Sequence, residues 1–418
     1  TGGRVAARAG IFPTFFISGF ECSTFQWKDR GRRDLVAETH HRERAAEDYR
    51  ILSDLGVAVS REGVPWPLVD RGGSYDFSLL DPVIEAMEDA KVLGIWDLCH
   101  YGYPDDLDPF TDEFTERFAR YCRAAAEYLL PRTRGPHFFT PINEITFFAF
   151  MGGEWGWVAP YRNTREDRHR LRDALCRAAI AGARAIREVE PDARMVNIDP
   201  IIQVVAPRDR PDLVDAARHE TFEDTFHAWD ILAGMARPEY GGSLEILDIV
   251  GANCYAFGQM EYRESGPHDA LEPNDDRIVP VCDMLLYAWE RYRRPMIIGE
   301  TSGLGDGRPA WLKDVMEESM AAVNAGADMQ GICLFPAVDM PNWHTGEWLK
   351  MGICDVVPDG EDLRREPHGP YVDELRRWQN LLNRVTRLDE DPYSDPVDLN
   401  DVTRAARELN PRPDQDWS

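Results

Sequence analysis

Short apolar runs, rich in β-branched and aromatic residues, alternate along this chain with longer segments whose apolar positions recur at helical spacing. The short runs fall at 14–18, 57–61, 94–99, 137–141, 194–199, 246–252, 296–299 and 331–335. The helical segments lie near 42–55, 78–93, 111–130, 167–190, 219–235, 280–293, 309–326 and 371–386. No linker and no shift of composition separates these eight strand–helix units. Strands joined through crossover helices lie parallel, so eight such units predict one α/β domain, a closed (β/α)8 TIM barrel over residues 1–387. An open doubly wound sheet is the competing arrangement. The remainder, 388–418, is acidic and Pro-rich and is expected to form a loosely packed tail, because it has little apolar surface to bury.

Charge narrows the possible functions. The 418 residues include 74 acidic and 47 basic side chains, a formal charge of −27, and no local basic patch offsets it. Phosphate backbones and anionic lipid would repel such a chain, so nucleic-acid and membrane-surface partners are excluded. No apolar run reaches the roughly 20 residues that span a bilayer. Arg4 and Arg8 ahead of an apolar run imitate a secretory leader, but Pro13 interrupts the run and no small-x-small cleavage site follows. The eight cysteines are dispersed, with no C-x-x-C pair, and read as buried free thiols of a reducing, cytoplasmic compartment.

In a barrel of this kind chemistry sits at the C-terminal ends of the strands. Asn143 and Glu144 follow the fourth run and Glu300 ends the seventh, two positions that face each other across a barrel mouth. A single glutamate in so acidic a chain would be read as a solvated loop residue. A pair at those two strand ends suits carboxyl groups on either side of a glycosidic bond. Trp155, Trp157, Trp343 and Trp348 also follow strands, where their rings offer faces for the C–H surfaces of a sugar.

These strand ends resemble glycoside hydrolase family 1, the β-glucosidase type within glycosidase clan A. The similarity runs through most of residues 11–358. Gly19-Phe20-Glu21-Cys22-Ser23-Thr24-Phe25-Gln26 is similar to the family's first-strand motif, which implies a sugar-hydroxyl contact for Gln26. Arg61 and Trp66 match the second-strand Arg and downstream Trp, and His100-Tyr101-Gly102-Tyr103-Pro104 resembles the third-strand motif, giving His100 and Tyr101 a place at the sugar. Asn143 and Glu144 match the Asn-Glu pair, Asn253 and Tyr255 the sixth-strand motif, Glu300 the nucleophile, and Asp339 and Trp343 the segment after strand eight. The chain departs from the family at Ile145 (for Pro), Tyr101 (for Trp), Phe335 (for the platform Trp) and Asn342 (for a Glu that holds outer hydroxyls). The last change implies a glycone other than plain glucose.

The resemblance implies a retaining β-glycoside hydrolase that needs no cofactor and no metal and acts on a small-molecule or oligosaccharide glycoside. Glu144 would be the acid/base and Glu300 the nucleophile, with the carboxyls about 5–5.5 Å apart. Arg61 and Tyr255 are expected to favour the charged form of Glu300. Phe147, Phe148 and Trp155 are expected to keep Glu144 protonated. Asn143 would hold the 2-hydroxyl, and Trp155, Asn342 and Trp343 would line the substrate site. Two other readings share the sequence: a transglycosidase with the same site, and a non-catalytic carbohydrate-binding barrel. Three further patterns are read as loop or surface features: His219, Glu223 and His227 at four-residue spacing; Gly303, Gly305 and Gly307 without a Walker lysine; and Asp105, Asp106 and Asp108 without an EF-hand pattern.

Overall fold

A computed structural model describes residues 10–389; the earlier leader-like arginines and most of the expected acidic tail, 390–418, lie outside the described residues. Eight parallel strands close into a barrel. They are β1 Phe16–Gly19, β2 Val59–Gly63, β3 Leu93–Asp97, β4 Phe138–Thr140, β5 Arg194–Pro200, β6 Ile249–Asn253, β7 Met296–Thr301 and β8 Met329–Leu334. Closure runs through β1, which pairs with both β8 and β2. The open-sheet alternative is thereby excluded. Crossover helices follow the strands: His41–Asp54, Asp81–Ala90, Asp112–Leu129, Arg165–Val189, Thr225–Leu232, Val281–Tyr292, Arg308–Asn324 and Gly369–Asp389. The last of these runs through the boundary expected at 387.

Alternation along each strand sorts side chains into two cores. Ile17, Val59, Ile95, Phe138, Val196 and Ile297 point into the barrel, which Phe12 closes from below with its ring 4.7 Å from that of Phe138. Their neighbours Trp96, Phe139, Met195, Val250 and Met296 face the helices. Three inward rows that begin with an aliphatic residue end on a polar one at the top: Val59 leads to Arg61, Ile95 to Asp97 and Ile249 to Asn253. Phe335 roofs the aliphatic layer, with the Arg61 guanidinium 5.1 Å above its ring. The site floor therefore lies directly on a packed apolar core.

β7 breaks this rule. Ile298 pairs with Ile332 and Thr301 with Leu334, so three residues advance on β7 while two advance on β8. Strict alternation would leave Glu300 on the helix-facing side with Ile298; the extra residue turns it inward.

On its outer face β2 is tied down by charge. Glu62 accepts from His41 Nε2 at 2.8 Å and from the Tyr49 hydroxyl, and His41 Nδ1 lies 2.7 Å from Asp48, which Arg365 also holds at 2.8 Å. Burial alone would lower the His41 pKa, but Glu62 and Asp48 outweigh it and raise it to about 9. This pairing therefore stabilises the fold fully below the ordinary histidine range, and its contribution fades as pH climbs toward 9.

Several elements were not expected. Strands Gln203–Val205, Gln259–Glu261 and Asp269–Ala270 form a small sheet above the barrel, and Cys354–Asp359 pairs with Asp362–Pro367 as a hairpin. The His219/Glu223/His227 stripe is broken by a π-helical turn at Glu220–Asp224, which shifts the helical register, and His219 instead faces Asp224 at 3.6 Å. All eight cysteines are free. No helix among the described residues is long and apolar enough to cross a membrane.

Candidate active site

The strand ends converge on one cavity of about 420 Å³, lined by Glu144 and Glu300 together with His100, Tyr101, Asn253 and Tyr255. Both carboxyls are buried, yet their surroundings differ. Glu300 accepts from Arg61 Nη1 at 2.6 Å and from the Tyr255 hydroxyl at 2.9 Å. Its carbonyl accepts from Cys254 N at 2.9 Å, which ties the loop after β6 to β7. Arg61 also donates to Asp97 Oδ2 and Asn143 Oδ1, each at 2.8 Å. One guanidinium thus holds the ends of β3, β4 and β7 together, and leaving its carboxylate partners unpaired in this burial would cost about 3–5 kcal/mol.

Among the described residues no cation is hydrogen-bonded to Glu144. Asn253 Nδ2 donates to its Oε1 at 2.7 Å, and the Tyr101 hydroxyl donates to its Oε2. Burial first, and the negative charge of Glu300 second, raise its pKa to about 7 in spite of those two donors. Asn253 reaches the carboxyl past Gly299, where a Cβ would come within 2.6 Å of the Asn253 Oδ1. Two non-glycine residues here take left-handed backbone, Tyr101 at φ 65° and Glu144 at φ 46°. Such conformations cost on the order of 1–3 kcal/mol and gather at functional sites. At Glu144 the strain is held by backbone bonds on both sides, Asn143 N to Cys99 O and Glu144 N to Ile198 O, each 2.9 Å.

A chain of polar contacts leads away from the two carboxyls. Asn143 Nδ2 lies 3.3 Å from His100 Nε2, and His100 Nδ1 lies 2.9 Å from Asp97 Oδ2. Cys22 Sγ is 3.3 Å from the same His100 nitrogen. Cys22, Asp97 and His100 could offer three ligand atoms to a metal, within 4.8 Å of one another. A cation there would meet Arg61, already bonded to Asp97 at 2.8 Å, so the charge pattern disfavours it.

The walls above are apolar. Phe147, Phe150, Trp155 and Trp157 come from the segment after Glu144, where a short helix passes into a π-helical turn at Phe150–Glu154. Ile201, Ile202, Phe257 and Met260 come from the small sheet and the turns that feed it. Trp343, Met340, Leu349 and Met351 come from the segment after β8, with the Trp343 ring 5.8 Å from that of Tyr101.

Most of the expected site residues meet here, and three occupy places that the sequence did not suggest. Gln26 is not among the cavity residues, and its side-chain oxygen is buried with no partner among the described residues. Asn342 lines the cavity, but its Oδ1 accepts from His344 N at 2.8 Å and Thr345 N at 3.0 Å and so closes its own turn. Tyr101 reaches the cavity with its hydroxyl committed to Glu144. Two family-matched residues are structural: Trp66 donates to Asp70 at 3.0 Å, and Asp339 accepts from Met351, Gly352 and Val356 N, each at 3.0 Å. Asp105 and Asp106 pair with Arg32 and Arg117. Sequence reasoning missed Asp97 and Glu21, both buried at this end of the barrel. Asp97 closes β3 and Glu21 lies two residues beyond β1, so the strand-end rule could have found both.

In fold the chain is similar to a β-glucosidase from Thermotoga maritima in complex with glucoimidazole, with a TM-score of 0.69 and 19% identity, covering 82% of this chain and 87% of that one. A family 1 β-glucosidase from the same organism gives a TM-score of 0.70 at 18% identity over 89% of this chain and 99% of its own. Another Thermotoga maritima complex, with isofagomine lactam, gives 0.69 at 19% identity over 82% and 87%. No family model and no curated protein matches the sequence. At such identity the likeness is one of fold, and function must be argued from the site.

Proposed function

We propose that this protein is a retaining β-glycoside hydrolase. The observation that carries the reading is the pair of carboxyls of unlike environment in one cavity: Glu300 bonded to Arg61 at 2.6 Å, and Glu144 raised to about 7 by burial and by Glu300. In the first step a Glu300 oxygen attacks the anomeric carbon while the bond to the leaving oxygen breaks, and Glu144 gives that oxygen its proton. In the second, Glu144 takes a proton from water, the water oxygen attacks the same carbon, and the ester to Glu300 breaks. Asn143 would hold the 2-hydroxyl, and the similarity in fold to enzymes named β-glucosidases supports a β-glycoside as substrate. The glycone is one other than plain glucose, because Asn342 replaces an expected carboxylate and spends its oxygen on its own turn. The buried free cysteines support a reducing, cytoplasmic setting.

Glu300→Ala should lower kcat by about 10⁴-fold or more. A 2-deoxy-2-fluoro aryl glycoside should leave a glycosyl group on the Glu300 peptide of the wild type, read by mass spectrometry. Unchanged turnover in the variant, or label on another residue, would sink the assignment. A protein that bound the glycoside without ever forming an adduct would be a carbohydrate-binding barrel. The apolar mouth favours one second reading, transfer to an apolar alcohol in place of water; product analysis with added acceptor separates the two.

A further inference from the structure

Glu21 is only 4% exposed, yet it lines the cavity. Ser23 holds one of its oxygens through both its backbone N, at 3.1 Å, and its hydroxyl. His100 Nε2 stands 3.9 Å from the same oxygen. The other oxygen makes no hydrogen bond among the described residues. A buried carboxyl with a free acceptor is costly unless something meets it.

Neither of the two residues expected at a sugar's hydroxyls offers a free acceptor to the cavity. Gln26 stands outside the cavity lining and Asn342 is tied up in its turn. Glu21 occupies the far end of a line of contacts that starts at the reacting carboxyls. Glu300 meets Arg61 at 2.6 Å, Arg61 meets Asn143 at 2.8 Å, Asn143 meets His100 at 3.3 Å, and Glu21 lies beyond. A pyranose with its anomeric carbon at Glu300 and its 2-hydroxyl on Asn143 would direct its next hydroxyls along this line.

Resting on the glycosidase reading, we propose that Glu21 is a specificity-determining residue, whose free oxygen, beside His100, accepts from the 3- and 4-hydroxyls of a neutral pyranoside. The charges agree with a neutral sugar. Two cationic candidates on the floor, Arg61 and His100, already face Asp97, Glu300 and Glu21, so an acidic or phosphorylated glycone would add negative charge where none is matched. Burial raises the Glu21 pKa, outweighing His100 and the Ser23 hydrogen bonds, which lower it.

The test is calorimetric binding of an uncleavable aryl thio-β-glycoside and its 2-, 3- and 4-deoxy analogues to the wild type, Glu21→Ala and Glu21→Gln. Because it reads binding, it is independent of whether the chain hydrolyses anything. In the wild type, removing the 3- or 4-hydroxyl should weaken binding about 10- to 100-fold, the range of a hydrogen bond to a charged group. In Glu21→Ala that penalty should fall below about 3-fold while the 2-deoxy penalty stays as it was. Glu21→Gln, which keeps an acceptor of the same shape, should be intermediate. Equal penalties in the wild type and both variants, or no 3- or 4-deoxy penalty in the wild type, overturn the proposal. Loss of turnover in Glu300→Ala with the Glu21 penalties unchanged would overturn it while leaving the hydrolase intact.

Discussion

The floor and the mouth of the cavity are built on different principles. On the floor, side chains from the ends of β2, β3, β4, β6 and β7 interlock, and Arg61 alone joins three of those strands. The mouth consists of rings and aliphatic groups borne on loops, on a π-helical turn and on a small sheet outside the barrel. The floor can hold reacting groups to within fractions of an ångström, because each is fixed by a strand and by polar partners. The mouth offers area without direction, which suits an aglycone that needs only to be desolvated.

This contrast can be broken first at the floor. Glu144→Gln keeps the shape and removes the proton, so turnover of glycosides with poor leaving groups should fall about 10³-fold, and far less for activated aryl glycosides. Steady-state kinetics across a leaving-group series would show it; a uniform loss would mean that Glu144 is not the acid. At the mouth, Met260→Ala should raise KM about 10-fold for glycosides of bulky apolar alcohols, leave kcat alone, and hardly affect methyl glycosides. A change confined to kcat would place Met260 with the floor instead. The smallest effect concerns pH. Activity should decline as pH rises through about 7, where Glu144 loses its proton. The Tyr101 hydroxyl donates to that carboxyl and favours its charged form, so Tyr101→Phe should move the basic limb upward by roughly half a unit to one unit. A downward shift of the pH–rate profile would contradict the hydrogen bond.

The same division governs what could be read from the sequence. All eight strands and the two glutamates were legible, because strand alternation and strand ends leave a local pattern: Ile249 to Asn253 announces itself in five residues. Boundaries moved by up to three residues, as at β6, expected at 246–252 and found at Ile249–Asn253. The mouth was legible only as scattered tryptophans. Met260 pairs with Val204 across a sheet whose strands lie far apart in the chain, and nothing local marks that pairing. Asn342 was recognised by position, but the turn that consumes its oxygen depends on His344 and Thr345 folding back upon it. Glu21 belongs to the first-strand motif, and only the cavity shows that this residue of the motif faces inward.

The extra residue in β7 reaches beyond this chain. Because it reverses the direction of everything after Ile298, a straight-stranded barrel could not acquire an inward Glu300 by exchanging one amino acid for another. It would need the local break in pairing between Ile298 and Thr301, and making that stretch regular would turn the carboxyl toward the helices. Grafting this chemistry onto a designed scaffold therefore begins with the backbone.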